Sequence, residues 1–309
     1  MLGIDSFDPR RDIPSLKGKT ILITGGTSGL GHQSALDLAR HNPSAIWITG
    51  RSAEKGVQIV NSLKQISPSV SVHFLEMDLS SKRSIELAAE SFLQGASRID
   101  ILLLNAGVMN MPPGTTKDGY ETHFGTNHMG HALLIKLLTP LLLKTSELDS
   151  SIDGVRIVFV SSDGHKFPPK GGIQFDSLKG DGSELSSIAR YGQSKLANVL
   201  YAREMARRFP QWTTVSIHPG TVKTELHKST AGASLIVRIF QKTILPLIGA
   251  DVEEGVKNQL WAATASDVLN GEYYDPVGVT GKAGKLSMDL SLAKELWEWT
   301  EKEMAVAGS

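Results

Sequence analysis

The stretch Ile21-Leu22-Ile23-Thr24-Gly25-Gly26-Thr27-Ser28-Gly29-Leu30-Gly31 constrains this chain more than any other. An apolar run of β-forming residues stops at spaced glycines and passes at once into a helical pattern. Glycines at 25, 29 and 31 permit a tight turn, let backbone approach a pyrophosphate without a Cβ in the way, and aim a helix N-terminus at negative charge. The arrangement reads as a dinucleotide cradle, to which Gly25, Thr27, Ser28, Gly29, Leu30 and Gly31 are assigned. Methyltransferases and sugar-nucleotide epimerases use relatives of the same turn, so it needs support from residues downstream.

Beyond the turn, apolar runs alternate with helical patterns in the rhythm of βαβ units. Strands are predicted near Thr20–Thr24, Ala45–Thr49, Val70–Glu76, Ile99–Leu104, Val155–Val160, Thr214–Ile217 and Gly271–Tyr274. Helices are predicted near Leu30–His41, Ser52–Ile66, Lys82–Leu93, Gly119–Thr145, Ser186–Phe209, Leu235–Phe240, Glu253–Ala265 and Leu292–Met304. Right-handed crossovers then give an α/β fold: a single Rossmann-like, doubly wound parallel sheet of order 3-2-1-4-5-6-7, with helices on both faces and ligands at the strands' carboxyl ends. No linker interrupts the pattern, so all 309 residues are read as one domain, and 40% apolar content is ample for its core. The Gly-, Pro-, Ser- and Lys-rich segment 163–187 is read as an irregular substrate loop. An amphipathic stretch within Ala233–Ala250 is read as a lid near 225–250; Arg238, Lys242 and Pro246 keep it from spanning a bilayer, and His131–Leu143 is too short to do so. Trp297 and Trp299 fall on opposite sides of the last helix, one of them expected against the sheet.

Lys+Arg and Asp+Glu are both 32, so net charge offers no attraction to nucleic acid or anionic lipid. Absence of cysteine excludes disulfides, thiolate nucleophiles and Cys-type metal sites. Met1 to Lys19 has no apolar core of a signal peptide, and a cytoplasmic location is expected. His123, His128 and His131 lack a metal motif and fall on different helix faces, so they are read as structural and no metal is expected.

Tyr191 and Lys195 stand four apart on a predicted helix and address one small volume, where an ammonium would favour the phenolate and draw the tyrosine toward working pH. Ser161 and Ser162 follow a strand, where a hydroxyl can donate to the oxyanion of a reduced carbonyl. After the second strand, Gly50-Arg51-Ser52 supplies room, a guanidinium and a hydroxyl, a set that suits the 2′-phosphate of NADP(H). Asn105, Ala106 and Gly107 suit a tight turn beside the cofactor.

Taken in order, the glycine turn, Asn105-Ala106-Gly107, Asn127, Ser161-Ser162, Tyr191-Gly192-Gln193-Ser194-Lys195 and Pro219-Gly220 resemble the short-chain dehydrogenase/reductase family from about Lys17 to Trp299. Asp118-Gly119-Tyr120-Glu121, Thr126-Asn127-His128-Met129-Gly130-His131 and the long gap between Ser162 and Tyr191 are most like its retinol dehydrogenase and WW-domain oxidoreductase branch. The resemblance implies that Ser162 is the catalytic serine, with Ser161 left as a cap, and that Tyr191 transfers the proton. It implies that Lys195 also holds the nicotinamide ribose, that Asn127 belongs to a water relay, that Asp78 and Leu79 address the adenine, and that Pro219, Gly220, Val222 and Thr224 lie by the nicotinamide. It also implies a homodimer formed through the two long helices Gly119–Thr145 and Ser186–Phe209. The expected activity is NADP(H)-dependent hydride transfer at the carbonyl or alcohol carbon of a fairly apolar small molecule, Phe167 and Phe175 lending the substrate side its apolar character. The rivals are a non-redox NADP enzyme, epimerase or dehydratase, and a non-catalytic dinucleotide scaffold; an intact Asn127, Ser162, Tyr191 and Lys195 argues against the scaffold.

Overall fold

The computed structural model describes residues 7–148, 154–222 and 250–306. Thr224, residues 225–249 of the expected lid, and the helix expected at Leu235–Phe240 lie outside the described residues. Seven parallel strands form one sheet in the order β3-β2-β1-β4-β5-β6-β7, as expected. They are β1 Thr20–Ile23, β2 Ala45–Gly50, β3 Ser71–Glu76, β4 Ile101–Leu104, β5 Arg156–Val160, β6 Thr213–Ile217 and β7 Tyr273–Tyr274. The helices are α1 Pro9–Asp12, α2 Gly29–Ala39, α3 Ala53–Ile66, α4 Lys82–Gly95, α5 Thr122–Phe124, α6 Gly130–Leu148, α7 Ser187–Arg208, α8 Val252–Gly255, α9 Lys257–Thr264 and α10 Leu290–Val306.

Alternation along the strands builds two cores. Ile21, Ile23, Ile101, Leu103, Val158 and Val160 face one apolar cluster, while Leu22, Leu102, Leu104, Ile157 and Phe159 face the other. Both faces are covered, which explains why the central strands read as unbroken apolar runs. Arg156 is the exception on β5; it is buried and donates to the carbonyls of Ala262 (3.1 Å) and Ala265 (3.0 Å), capping the C-terminal end of α9. Val222 pairs with Ala250, so the two ends of the undescribed segment meet. Among the described residues no helix is long and apolar enough to cross a membrane.

Two expectations change. The helix expected over Gly119–Thr145 is interrupted by a π-helical turn, Gly125–Met129, with Asn127 at its centre. The last helix packs not on the sheet but across α7: Trp297 stacks on Tyr201 (4.5 Å, 15°), and Trp299 stands edge-on to Tyr120 and Phe124. Residues 190–202 of α7 are buried throughout, and α10 packs along this helix. Phe175 likewise packs on Trp299 (5.9 Å), leaving Phe167, 62% exposed, as the aromatic of the loop that faces outward.

Candidate active site

The turn after β1 closes upon itself. Gly25 (φ +66°) and Gly29 (φ +54°) occupy the left-handed region, and a Cβ on Gly31 would lie 2.5 Å from both the Gly25 carbonyl and Asn105 Nδ2. Ser28, at the N-cap of α2, makes no side-chain cap, and the first turn of α2 carries no acid. By contrast Ser52, Ser81 and Ser186 each cap their helix by accepting from Lys55, Ser84 and Ala189 N–H. The N–H groups opening α2 therefore lack a side-chain acceptor, and the positive end of the helix fits the pyrophosphate of a dinucleotide. Leu30 and Val222 both reach the Cβ-less surface of Gly255, so the glycine turn and the segment after Pro219-Gly220 meet α8 at one point.

At the adenosine end the residues sort differently from expectation. The room above Gly50 is taken by Thr27, whose Cγ2 would stand 2.7 Å from a Cβ there. Ser52 is spent as a cap, while Arg51 is exposed and has no carboxylate partner among the described residues. Asp78 accepts from Ser80 N (3.0 Å) and Oγ (2.7 Å) and pairs with Lys117 (3.2 Å), so its carboxylate holds a turn and a cation. Leu79 is buried against Gly130, where its carbonyl leaves no space for a Cβ.

Asn127, Ser162, Tyr191 and Lys195 converge at the carboxyl ends of β4 and β5. The Asn127 amide pairs in both directions with the Val108 backbone (2.7 and 3.0 Å) and donates to Ser194 Oγ (3.0 Å). Gly107 lies between, where a Cβ would approach Asn127 Oδ1 to 3.1 Å and Lys195 Nζ to 3.4 Å. A π turn moves backbone bonding from i−4 to i−5, as Gly130 N–H does to Gly125 O, and frees a carbonyl for side chains. The Asn127 carbonyl accepts from His131 Nδ1 (3.0 Å), so His131 occupies a lone pair where the resemblance places a water. Since a carbonyl only accepts, the His131 proton is assigned to Nδ1, and Nε2 accepts from the Thr24 hydroxyl (2.9 Å). Thr24 Oγ1 in turn accepts from Ala106 N (3.0 Å), and Asn105 Nδ2 donates to the Thr24 carbonyl (3.0 Å). One buried network thus ties the glycine turn, the Asn105–Gly107 turn, the π turn and α7. The roles of Thr24 and Ser194 are not visible in the sequence; for His131, read as structural, the spacing of four from Asn127 is the local signal of its bond.

The capping duty falls to Ser162 and not to Ser161. Ser161 Oγ donates to the Lys195 carbonyl (2.9 Å), binding β5 to α7, whereas Ser162 Oγ accepts from Gly164 N (3.1 Å) and caps the turn Asp163–Lys166. The Ser162 hydroxyl is also hydrogen-bonded to the Tyr191 phenol. A Cβ at 164 would press to 2.8 Å on Tyr191 Cε1, so glycine there lets the ring lie against the loop. Lys195 Nζ sits 5.8 Å from the Tyr191 ring centroid and donates to the Val160 carbonyl (2.9 Å). The expected depression of the phenol by this ammonium is overturned: burial pushes Tyr191 up to about 12 against the Ser162 hydrogen bond, and pushes Lys195 down to about 8. Burial is the leading cause at both groups.

The histidines have separate partners: His123 Nδ1 meets Glu121 (2.7 Å), His128 Nε2 meets Thr300 Oγ1 (3.0 Å), and His131 joins the network above. Burial lowers His131 to about 4 and His128 to about 3, so both are neutral at physiological pH.

A family model described as "short chain dehydrogenase" matches residues 19–233. Short-chain dehydrogenase/reductase drtF of Aspergillus calidoustus is 33% identical over 94% of this chain and 95% of its own. Retinol dehydrogenase 14 of Homo sapiens is 35% identical over 93% and 86%, respectively. Among solved structures, an uncharacterized protein from Mycobacterium Paratuberculosis superposes with a TM-score of 0.72 at 27% identity, covering 94% of this chain and 95% of that one.

The unfolded chain protonates His128 and His131 near pH 6.5, the folded chain only below about 4. Folded stability is therefore lost as pH falls through this window, by about 1.4 kcal/mol per pH unit for each imidazole. Urea unfolding between pH 7 and pH 5, above the carboxylate range, is expected to show this slope; a flat profile contradicts the buried, neutral assignment.

Proposed function

The chain belongs to the short-chain dehydrogenase/reductase family, and from that premise we propose that it is an NADP(H)-dependent oxidoreductase acting on the carbonyl or alcohol carbon of a fairly apolar small molecule. The observation that carries the reading is the convergence of Ser162, Tyr191 and Lys195 beside an uncapped helix N-terminus. The bound nicotinamide supplies or accepts the hydride. The chain's own part is proton handling and charge placement. With its phenol held up to about 12, Tyr191 carries its proton at neutral pH and serves as the acid that protonates an alkoxide, which favours carbonyl reduction. Ser162, whose oxygen already accepts from Gly164, keeps its hydroxyl proton for the same oxyanion. Lys195 remains an ammonium below about pH 8, able to hold a ribose hydroxyl and balance charge that develops at Tyr191. Asn127 Oδ1 and Lys195 Nζ both border Gly107, and Asn127 donates to Ser194, the residue before Lys195.

Arg51 supports the choice of NADP(H): it is exposed at the end of β2, free of carboxylates among the described residues, and shaped for paired donation to phosphate. An apolar substrate is supported by the outward Phe167 and by likeness to retinol dehydrogenases 12 and 14, whose names state theirs.

The reading is tested by following nicotinamide absorbance with NADPH across a panel of ketones, aldehydes and quinones. Oxidation coupled one-to-one to reduced product is expected; product formed without change at the nicotinamide would mark a non-redox enzyme. Arg51→Ala should weaken NADPH binding by about 1–3 kcal/mol, the scale of a charge-assisted hydrogen bond, and leave NADH nearly untouched. Equal losses for both dinucleotides would remove Arg51 from the phosphate site.

A further inference from the structure

Glu121, the last residue of the Asp118–Glu121 motif, and Arg190, which precedes Tyr191, take no part in the mechanism above. They form a buried ion pair, 1% and 2% exposed, with Nε of Arg190 3.3 Å from Glu121 Oε1. A buried pair seldom repays its desolvation relative to apolar residues of similar size, so its presence asks for a reason in positioning. The guanidinium supplies one. It donates to the carbonyls of Gly182 (3.1 Å), Leu185 (2.6 Å) and Met111 (2.9 Å), gathering two separate loops onto the first turn of α7. Three carbonyl acceptors and a carboxylate in ion-pair contact around one planar fork are a task for arginine, which lysine does not match.

Glu121 extends the contact toward Tyr191. Its Oε2 accepts from Phe124 N (2.8 Å) and its Oε1 from His123 Nδ1 (2.7 Å). His123 Nε2 accepts from Met111 N (3.1 Å), which assigns the single imidazole proton to Nδ1 and leaves the ring neutral. That ring stands edge-on to Tyr191, 6.1 Å between centroids. Gly182 (φ +66°) closes the cluster; a Cβ there would fall 2.6 Å from Arg190 Cδ and 2.8 Å from Glu121 Cγ. The two loops also join directly, Gly114 N to Asp181 O (3.0 Å) and Glu121 N to Leu178 O (2.9 Å).

We propose that Arg190, acting through Glu121 and His123, is a positioning residue that clamps residues 109–115 and 178–186 around Tyr191 and holds its ring in register with Ser162. The inference rests on the reading of Tyr191 as the proton donor, and its test includes a measurement that does not depend on turnover. Arg190→Met alone strands a buried carboxylate and risks unfolding, so the decisive protein is the double variant Glu121→Gln/Arg190→Met, which removes both charges. Hydrogen exchange read by mass spectrometry should rise about tenfold or more in 109–115 and 178–186 of the double variant, and not in the β1–α2 turn. With any substrate found in the panel, kcat should fall about ten- to a hundredfold, the scale of a misplaced catalytic group, while the NADPH Kd stays within about twofold. Arg190→Lys, which keeps the charge and loses the fork, should not restore kcat. Exchange in both loops equal to that of the parent chain overturns the clamp. Loosened loops with unchanged kcat and KM overturn the positioning role. A parent chain that binds NADPH yet reduces nothing overturns the redox reading, while the exchange comparison still decides the clamp.

Discussion

The site depends on the pairing of the Asn127 side chain with the backbone of Val108. An amide that bonds a peptide group in both directions behaves like one rung of a sheet, and here the rung joins the loop after β4 to a helix. To offer it, the helix widens into a π turn, and the carbonyl that the widening frees is taken by His131. From His131 the connection runs to Thr24 and so to the Asn105–Gly107 turn; from the amide it runs to Ser194, whose hydroxyl bonds the Tyr191 carbonyl. A buried donor or acceptor left alone costs on the order of 1–3 kcal/mol, so no member of this network moves without stranding another. Cofactor turn and proton-handling helix are rigid with respect to each other for that reason.

The same burial sets the electrostatics. A phenol and an ammonium enclosed by protein each resist ionisation, and at neutral pH the outcome is a protonated Tyr191 near a charged Lys195. His128 and His131 are neutral for the same cause, the tautomer of His131 fixed by its carbonyl partner. The site is therefore polar in content and nearly silent in charge, with Lys195 its one buried cation and the Arg190–Glu121 pair cancelling within itself. Charge that appears during proton transfer meets prearranged donors and the Lys195 ammonium.

How much of this was legible beforehand follows from the range of the interactions. The sheet order, the strands within a few residues, and the glycines at 25 and 29 were readable, because they obey local rules of period, turn conformation and crossover handedness. Asn127, Ser162, Tyr191 and Lys195 were legible as an ordered set, and their convergence follows from the topology. What escaped depends on partners distant in the chain. The π turn is driven by Val108, 19 residues away; the capping role passed from Ser161 to Ser162 because Ser161 finds the Lys195 carbonyl, 34 residues on. The sign of the Tyr191 shift was misjudged because spacing reveals a neighbouring ammonium but not the desolvation that opposes it. Phe175, expected on the substrate side, packs on Trp299, 124 residues on in the chain.

The central claim is that Tyr191 is the proton donor of a dinucleotide-dependent reduction, and the most direct measurement is Tyr191→Phe assayed for both binding and turnover. The substitution keeps the ring, its edge-on contact with His123 and its fit against Gly164, and removes only the hydroxyl. NADPH titrated by fluorescence should bind with nearly unchanged affinity, since the pyrophosphate and 2′-phosphate contacts proposed for the glycine turn and Arg51 do not involve the Tyr191 hydroxyl. Turnover should collapse by at least about a hundredfold, the lower bound of a positioned acid's contribution. A Tyr191→Phe protein that retains most of its kcat contradicts the account.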